Sequence, residues 1–224
     1  MTPIMKLKQR PAATAKLVGG RLCLDFVNTI AWRRAQTPAG YAGPGKPEAR
    51  AEKLNDYDDL LAWGWHMGLL TEVEVKSLGR EASRQAGEAE SVLARAIALR
   101  EAIYRICLSV IKKTAPRAAD VEVLNRELAA ARNHKRLIAG EDHFVWRWMD
   151  ENKALDRLLW SIADSAADLL TEGDLTRLRE CGGATCGWLF EDTSRNRSRH
   201  WCDMQDCGNL AKVRRFRTRQ RDAQ

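Results

Sequence analysis

Four of the six cysteines fall into two short pairs near the C-terminal end. Cys181 and Cys186 form one C-x4-C pair and Cys202 and Cys207 the other, with fifteen residues between the pairs. Thiolates are soft ligands, and a pair at this spacing can turn two sulfurs toward one side of an ion. The segment between the pairs is long enough to fold back and bring all four sulfurs around a single tetrahedral zinc. Disulfides are the competing chemistry, and they need an oxidising compartment. Residues 1–17 are basic and lack the apolar core of a secretory signal, so a reduced, cytoplasmic chain is expected. The pairs therefore predict one structural zinc per chain, closed by four sulfurs, with no coordination position left for a reacting water. His200, two residues before Cys202, could replace one sulfur, but four cysteines already satisfy the ion.

Glycines at 182, 183, 187 and 208 flank the ligands, which lets the backbone turn N–H groups toward sulfur. Between the pairs, Trp188-Leu189-Phe190 and Arg199-His200-Trp201 are short β-favouring runs joined by the polar residues 192–198. They predict a hairpin between these two runs. After Gly208, residues Leu210, Val213, Phe216 and Arg217 recur on one face of a helix. The predicted order is knuckle, hairpin, knuckle, helix.

Charge concentrates in the same place. The net charge is +7, and residues 181–221 hold nine Lys/Arg against four acids, leaving only +2 for the remainder. Lys212, Arg214, Arg215, Arg217, Arg219 and Arg221 lie within ten residues, and Arg195, Arg197 and Arg199 come from the segment between the pairs. Such a module could offer two cationic edges to duplex DNA, and arginine suits bidentate contacts to phosphate or guanine. A DNA-binding regulator is the first reading. An RNA-binding or protein-interaction zinc module is the alternative, in which Trp188, Trp201 or Phe216 would stack a base or fill a partner pocket.

The elements that must carry this module are helical. Residues 1–15 are polar and basic and predict a mobile arm; 16–174 predict a multihelical domain with small β-hairpins, and 175–224 the zinc module. A short strand and glycine turn at 17–24 lead into an apolar segment where Asp25 and Asn28 interrupt the pattern. Two polar groups there either brace the backbone or face a pocket. Residues 35–50, with three prolines and three glycines, predict a long loop. Helices follow at 56–67 with Asn55 as cap, from a Thr71-x-x-Glu74 capping box toward 86, at 88–113, at 118–133 and at 153–170, with a hairpin over 134–149. The tryptophans at helical or alternating spacing, and Cys23 and Cys107, predict core packing. Asp25, Asn28 and His66 form no nucleophile and base pair, and no phosphate loop occurs, so no enzyme is expected. No run approaches the ~20 apolar residues of a membrane span, and a small-molecule effector for the helical domain stays open.

Two stretches together resemble the bacterial family that joins an N-terminal ABATE domain to a C-terminal CGNR-type zinc finger, described as stress-induced transcription regulators. The front residues are Gly20-Arg21-Leu22-Cys23-Leu24-Asp25-Phe26-Val27-Asn28-Thr29. The back residues are the four-cysteine frame, Gly208-Asn209, and Ala211-Lys212-Val213-Arg214-Arg215-Phe216-Arg217. The resemblance implies a mainly α protein, a treble-clef-like zinc module and DNA binding. The chain departs from the family pattern at Leu210, where an arginine is expected.

Overall fold

The computed structural model describes residues 3–34, 51–149 and 154–222. The loop expected over 35–50 lies outside them, as does the expected helix start at 153.

The apolar periodicity of residues 88–113 builds the longest helix, α5 (Ala86–Lys112), and the rest of the helical body packs around it. Its inward stripe Val92, Ala96, Leu99, Ile103 and Ile106 is buried. Around it stand α2 (Leu22–Val27), α3 (Tyr57–His66), α4 (Glu72–Arg84), α6 (Ala118–Arg132) and α7 (Arg157–Thr171). On α7 the residues Leu158, Leu159, Ile162, Ala163, Ala166 and Leu169 face inward, the 3.6-residue repeat that drives an amphipathic helix into a core. Thr71 and Glu74 form the expected capping box. Asp56, rather than Asn55, caps α3 by accepting from Asp59 N–H, while Asn55 donates to the Asp59 carboxylate. The carboxylate at 56 accepts from the first turn and, being charged, also favours the positive end of the helix dipole.

The expected arm is packed instead. A short helix α1 (Pro3–Lys8) and a 3-10 turn (Pro11–Thr14) lie against α3 and bury Leu7, Ala12, Ala13 and Ala15. Small side chains allow the turn to approach α3 closely, and Arg10 fixes it by pairing with Asp56, Asp58 and Asp59. Residues 17–20 form no strand; Gly19 donates its N–H to Asp25 Oδ1 at 2.8 Å and so enters α2 as a turn.

Three two-stranded antiparallel sheets complete the described fold. β1 (Ile30–Ala31) pairs with β2 (Ala51–Glu52), and β3 (Lys135–Ala139) with β4 (Phe144–Trp148), the latter the hairpin expected from alternation. Trp63 and Trp160 are core, as the pattern predicts, but Trp146 on β4 is 63% exposed. The hairpin rests on α7 at Lys135, which pairs with Asp164, and at Trp148, which packs against Trp160, while Trp146 is left outside that contact. The third sheet joins β5 (Leu178–Glu180) to β6 (Leu189–Glu191).

That third sheet corrects the predicted metal-module hairpin. β6 takes its partner from upstream of the first cysteine, with Leu178 opposite Glu191 and Glu180 opposite Leu189. The run Arg199-His200-Trp201 is not a strand because its backbone serves the knuckle: His200 C=O accepts from Gly182 N–H at 3.0 Å. Leu178 and Leu189 belong to the main core, so the sheet is continuous with the helical body. After a π-helical turn (Met204–Gly208), α8 (Asn209–Asp222) ends the chain.

Candidate metal centre and cationic helix

The four cysteines converge. One sulfur from each of Cys181, Cys186, Cys202 and Cys207 lies within 4.8 Å of the other three, and all four side chains are buried. Cys186 to Cys202 and Cys202 to Cys207 are each 3.6 Å between sulfurs. A tetrahedron with zinc–sulfur bonds of about 2.3 Å has edges of about 3.8 Å, and a disulfide would need about 2.0 Å. The separations fit four ligands around one ion and exclude bridges. Hydrogen bonding from the neighbouring thiols pulls the Cys181 thiol far below its ordinary range, and the same cluster pushes Cys202 up. Four thiols this close compete for protons, and a divalent cation relieves that competition by binding all four as thiolates.

The chain around the sulfurs is shaped for the cluster. Gly183 N–H points at Cys181 Sγ at 3.4 Å and Cys202 N–H at 3.3 Å, the outer hydrogen bonds that orient thiolate ligands. A Cβ on Gly183 would sit 3.1 Å from Cys207 Sγ and 3.0 Å from the Cys186 Cβ, so a side chain there would crowd the cage. Gly187 leaves the first knuckle at φ +71°, a left-handed backbone that only glycine adopts freely. His200 is exposed, packs edge-on against Trp201 and stays outside the sulfur cluster.

Residues far away in sequence hold the module in place. Asn28 donates Nδ2 to Leu189 C=O at 2.8 Å and accepts Leu189 N–H at 3.0 Å, both bonds buried. Trp188 donates its indole N–H to Ile30 C=O at 2.7 Å, and Arg21 pairs with Glu191 at 2.8 Å. Glu191 N–H bonds Gly19 C=O, and Lys16 holds both Asp203 and Asp206 beside the second knuckle. Arg33 and Arg34 donate backbone N–H to Cys186 and Thr185 C=O at 2.9 and 3.0 Å. The Arg33 side chain, 2% exposed, pairs with Glu101 of α5, which also receives Arg100. Asp25 accepts from Gly19 in its own turn, whereas Asn28, expected either to brace its local backbone or to face a pocket, clamps a strand 161 residues away. Burial raises the Asp25 carboxyl above its ordinary range despite the Gly19 bond. His66 donates its Nε2–H to Ala15 C=O at 2.9 Å. Cys23 is buried and its thiol is pushed up to about 11 by desolvation, and Cys107 is raised by the same cause, as inert core thiols should be.

Of the basic residues expected at DNA, Lys212, Arg214, Arg215, Arg217 and Arg219 are exposed on α8, and none pairs with a carboxylate among the described residues. Arg195 is exposed between the pairs. Arg197, at φ +52°, reaches Thr176 Oγ1 and Asp174. Arg199 is committed within the fold: its guanidinium lies 4.2 Å over Phe190 and donates to the carbonyls of Val18, Trp201 and Cys202. The apolar face of α8 is open, since Leu210, Val213 and Phe216 are 43, 46 and 62% exposed. Leu210, with Ala211, Arg214 and Arg215, also lines a groove beside the first knuckle together with Trp32. Sequence patterning missed Trp32, Arg33 and Arg34, because a tertiary hydrogen bond to a knuckle leaves no periodic trace.

Two family profiles divide the chain along the lines just described. The ABATE profile, whose description reads "Putative stress-induced transcription regulator", matches residues 20–173, and the CGNR zinc finger profile matches 177–220. The chain belongs to the ABATE family. It is a mainly helical member with small antiparallel sheets and a CGNR zinc finger whose four cysteines are positioned to bind one metal ion. Neither family is one of enzymes. No curated protein matches the chain, and among the described residues no helix is long and apolar enough to cross a membrane.

Proposed function

We propose that this ABATE-family chain is a transcription regulator that binds duplex DNA through α8, with zinc fixing the helix in place. The observation that carries the reading is the state of the α8 cations. Lys212, Arg214, Arg215, Arg217 and Arg219 project from a helix that leaves directly from the last zinc ligand, are exposed, and have no carboxylate partner among the described residues. Ion pairs hold Arg10, Arg21, Arg95 and Arg105 elsewhere in the fold; on α8 five cations within residues 212–219 are left together for an external polyanion. Arg195 adds charge from the segment between the cysteine pairs, whereas Arg197 would have to leave Asp174 to do so and Arg199 serves the knuckle. In this reading residues 175–224 are the DNA-binding unit and 16–174 the regulatory one. A cleft of about 560 Å³ lined by Leu7, Arg10, Leu61, Val75, Lys76 and Arg80 supports a small-molecule effector for the latter.

The alternative, an RNA-binding or protein-interaction module, draws support from the exposed Phe216 among the arginines. One titration separates the readings. Duplexes are selected from a random pool, and binding to the selected site and to random-sequence duplex is measured across a salt series, with and without a chelator. The expected result is log K falling by about 0.9 per phosphate contact against log salt, with four to six contacts, and collapse of site-specific binding without zinc. A zinc-free protein that binds a selected site as tightly as the loaded one overturns the reading.

A further inference from the structure

The groove between the first knuckle and α8 has a volume of about 240 Å³ and is lined by, among others, Trp32, Thr185, Trp201, Leu210, Arg214 and Arg215. We propose that it receives a single unpaired nucleobase, with the phosphates on either side of that base held by Arg214 and Arg215. This rests on the nucleic-acid reading above and goes beyond it in naming what enters the protein.

Size and chemistry both select the occupant. The volume is below the roughly 300–1,000 Å³ of sites for drug-sized molecules and matches one flat ring system. The charged groups of the lining, Arg214 and Arg215, are exposed on α8, and three N–H groups of the knuckle are already donated: Gly182 to His200 C=O, Gly183 to Cys181 Sγ, and Cys186 to Gly183 C=O. A phosphate loses more water than the face of a base on entering such a groove. The cations stand on α8 and suit phosphates that remain in solvent while the base enters. Aromatic surface beside a cationic track is the arrangement by which unpaired bases are held irrespective of sequence.

The backbone at Trp32 is a second, independent observation. It has φ +55°, a conformation that bulky side chains adopt only at a cost. The turn is held from both sides, by the pairing of Ala31 with Ala51 and by the Arg33 and Arg34 bonds to the knuckle. Despite that bracing Trp32 remains partly exposed and contributes to the groove wall. A residue of this size in this conformation is poorly explained by local structure, for which Gly or Asn would serve better, and is explained by a ring partner.

The test compares four ligands at one salt concentration: a fully paired DNA duplex, the same duplex with one bulged nucleotide, the same bulge carrying an abasic nucleotide, and the RNA counterpart of the base-bearing bulge. The abasic bulge keeps the phosphates and the flexibility and removes only the base. The zinc-loaded chain is expected to prefer the base-bearing DNA bulge over the abasic one by roughly tenfold or more. Trp32→Gly, whose backbone suits the left-handed turn, and Ala211→Leu, which fills the groove without adding charge, are each expected to abolish that preference. Both should leave the salt slope with paired DNA intact. Zinc content is measured for both variants, and should Trp32→Gly lose zinc, Ala211→Leu decides. Equal binding of base-bearing and abasic bulges, or a preference that survives in zinc-loaded Ala211→Leu, overturns the groove proposal while the DNA reading stands on the salt slope. Preference for the RNA bulge over the DNA bulge upholds the groove and overturns duplex DNA as its source. No binding to any of the four overturns both.

Discussion

The carboxamide of Asn28 holds both backbone groups of Leu189, donating to its carbonyl at 2.8 Å and accepting its N–H at 3.0 Å. An asparagine is the one side chain of this length that can complete such a strand-like pair with a fixed donor and acceptor. The bond pair joins the end of α2 to the strand that follows the first knuckle, so the zinc finger and the helical body share a buried polar seam.

Asn28→Ala should therefore behave as a core lesion. It leaves a buried N–H and a buried C=O without partners, a loss of about 2–4 kcal/mol. The expected outcome is a lower melting temperature together with faster zinc release to a chelator. Asn28→Asp restores the acceptor but sets a carboxylate against the Leu189 carbonyl, and should fail to rescue. Normal zinc retention in Asn28→Ala would show that the seam does not support the metal site.

Zinc removal should be felt beyond the finger. Leu178 and Leu189 are 2% and 0% exposed and belong to the main hydrophobic cluster, while the strands that carry them lead into and out of the first knuckle. Chelation, or Cys202→Ser, is expected to lower the thermal midpoint of the helical signal as well as to disorder the finger. An unchanged helical transition in the metal-free protein would mean that β5 and β6 stay packed without the ion.

Arginines of the C-terminal region should divide into two kinds. Replacing Arg214 and Arg215 with Ala should weaken binding to every duplex alike and flatten the salt slope by about one to two units, with zinc retained. Arg199→Ala should do the reverse, because its guanidinium ties the carbonyls of Val18, Trp201 and Cys202 together over Phe190. Its signature is easier zinc loss with an unaltered salt slope in the loaded form.

Acid sensitivity should trace to the network under the knuckle. Burial opposes ionisation of Glu52, but hydrogen bonds from Arg100 at 2.6 and 2.7 Å outweigh it and hold the carboxyl below its ordinary range; Glu101 is held down in the same way by Arg33 and Arg100. A carboxyl with a lowered folded-state pKa contributes stability above its unfolded value of about 4.3, and loses it as pH falls through the folded value. Glu52→Gln should be destabilised at neutral pH, with the gap to the parent chain closing as pH drops below about 4. Urea unfolding at neutral and acid pH measures the gap, and protonation of the zinc thiolates cancels because both proteins share it. A gap that widens in acid would contradict the assignment.

The metal site was legible because zinc chemistry is written in residue type and spacing. Two C-x4-C pairs need little more than chain reversal to meet, and the structure brings their sulfurs within 4.8 Å. Helices α4, α5 and α6 were legible for a similar reason, since a capping box and a 3.6-residue apolar repeat are local signals. The β6 partner was not. Local pattern marks 188–190 and 199–201 as strands, and the choice of Leu178–Glu180 as partner follows from burial of Leu178 and Leu189 against the helices.

By itself, then, the sequence determined the ligands, the helical class and the concentration of positive charge at one end, because each is carried by residues close together in the chain. Tertiary structure decided what those residues do. It tied Arg199 down as a brace while leaving Lys212, Arg214, Arg215, Arg217 and Arg219 without carboxylate partners among the described residues, and it made Asn28 a clamp on a strand 161 residues away. It also packed 3–14 as structure and set Trp32 beside the first knuckle. Hydrogen-bond partners and exposed faces depend on which distant surfaces meet, and long-range packing alone settles that.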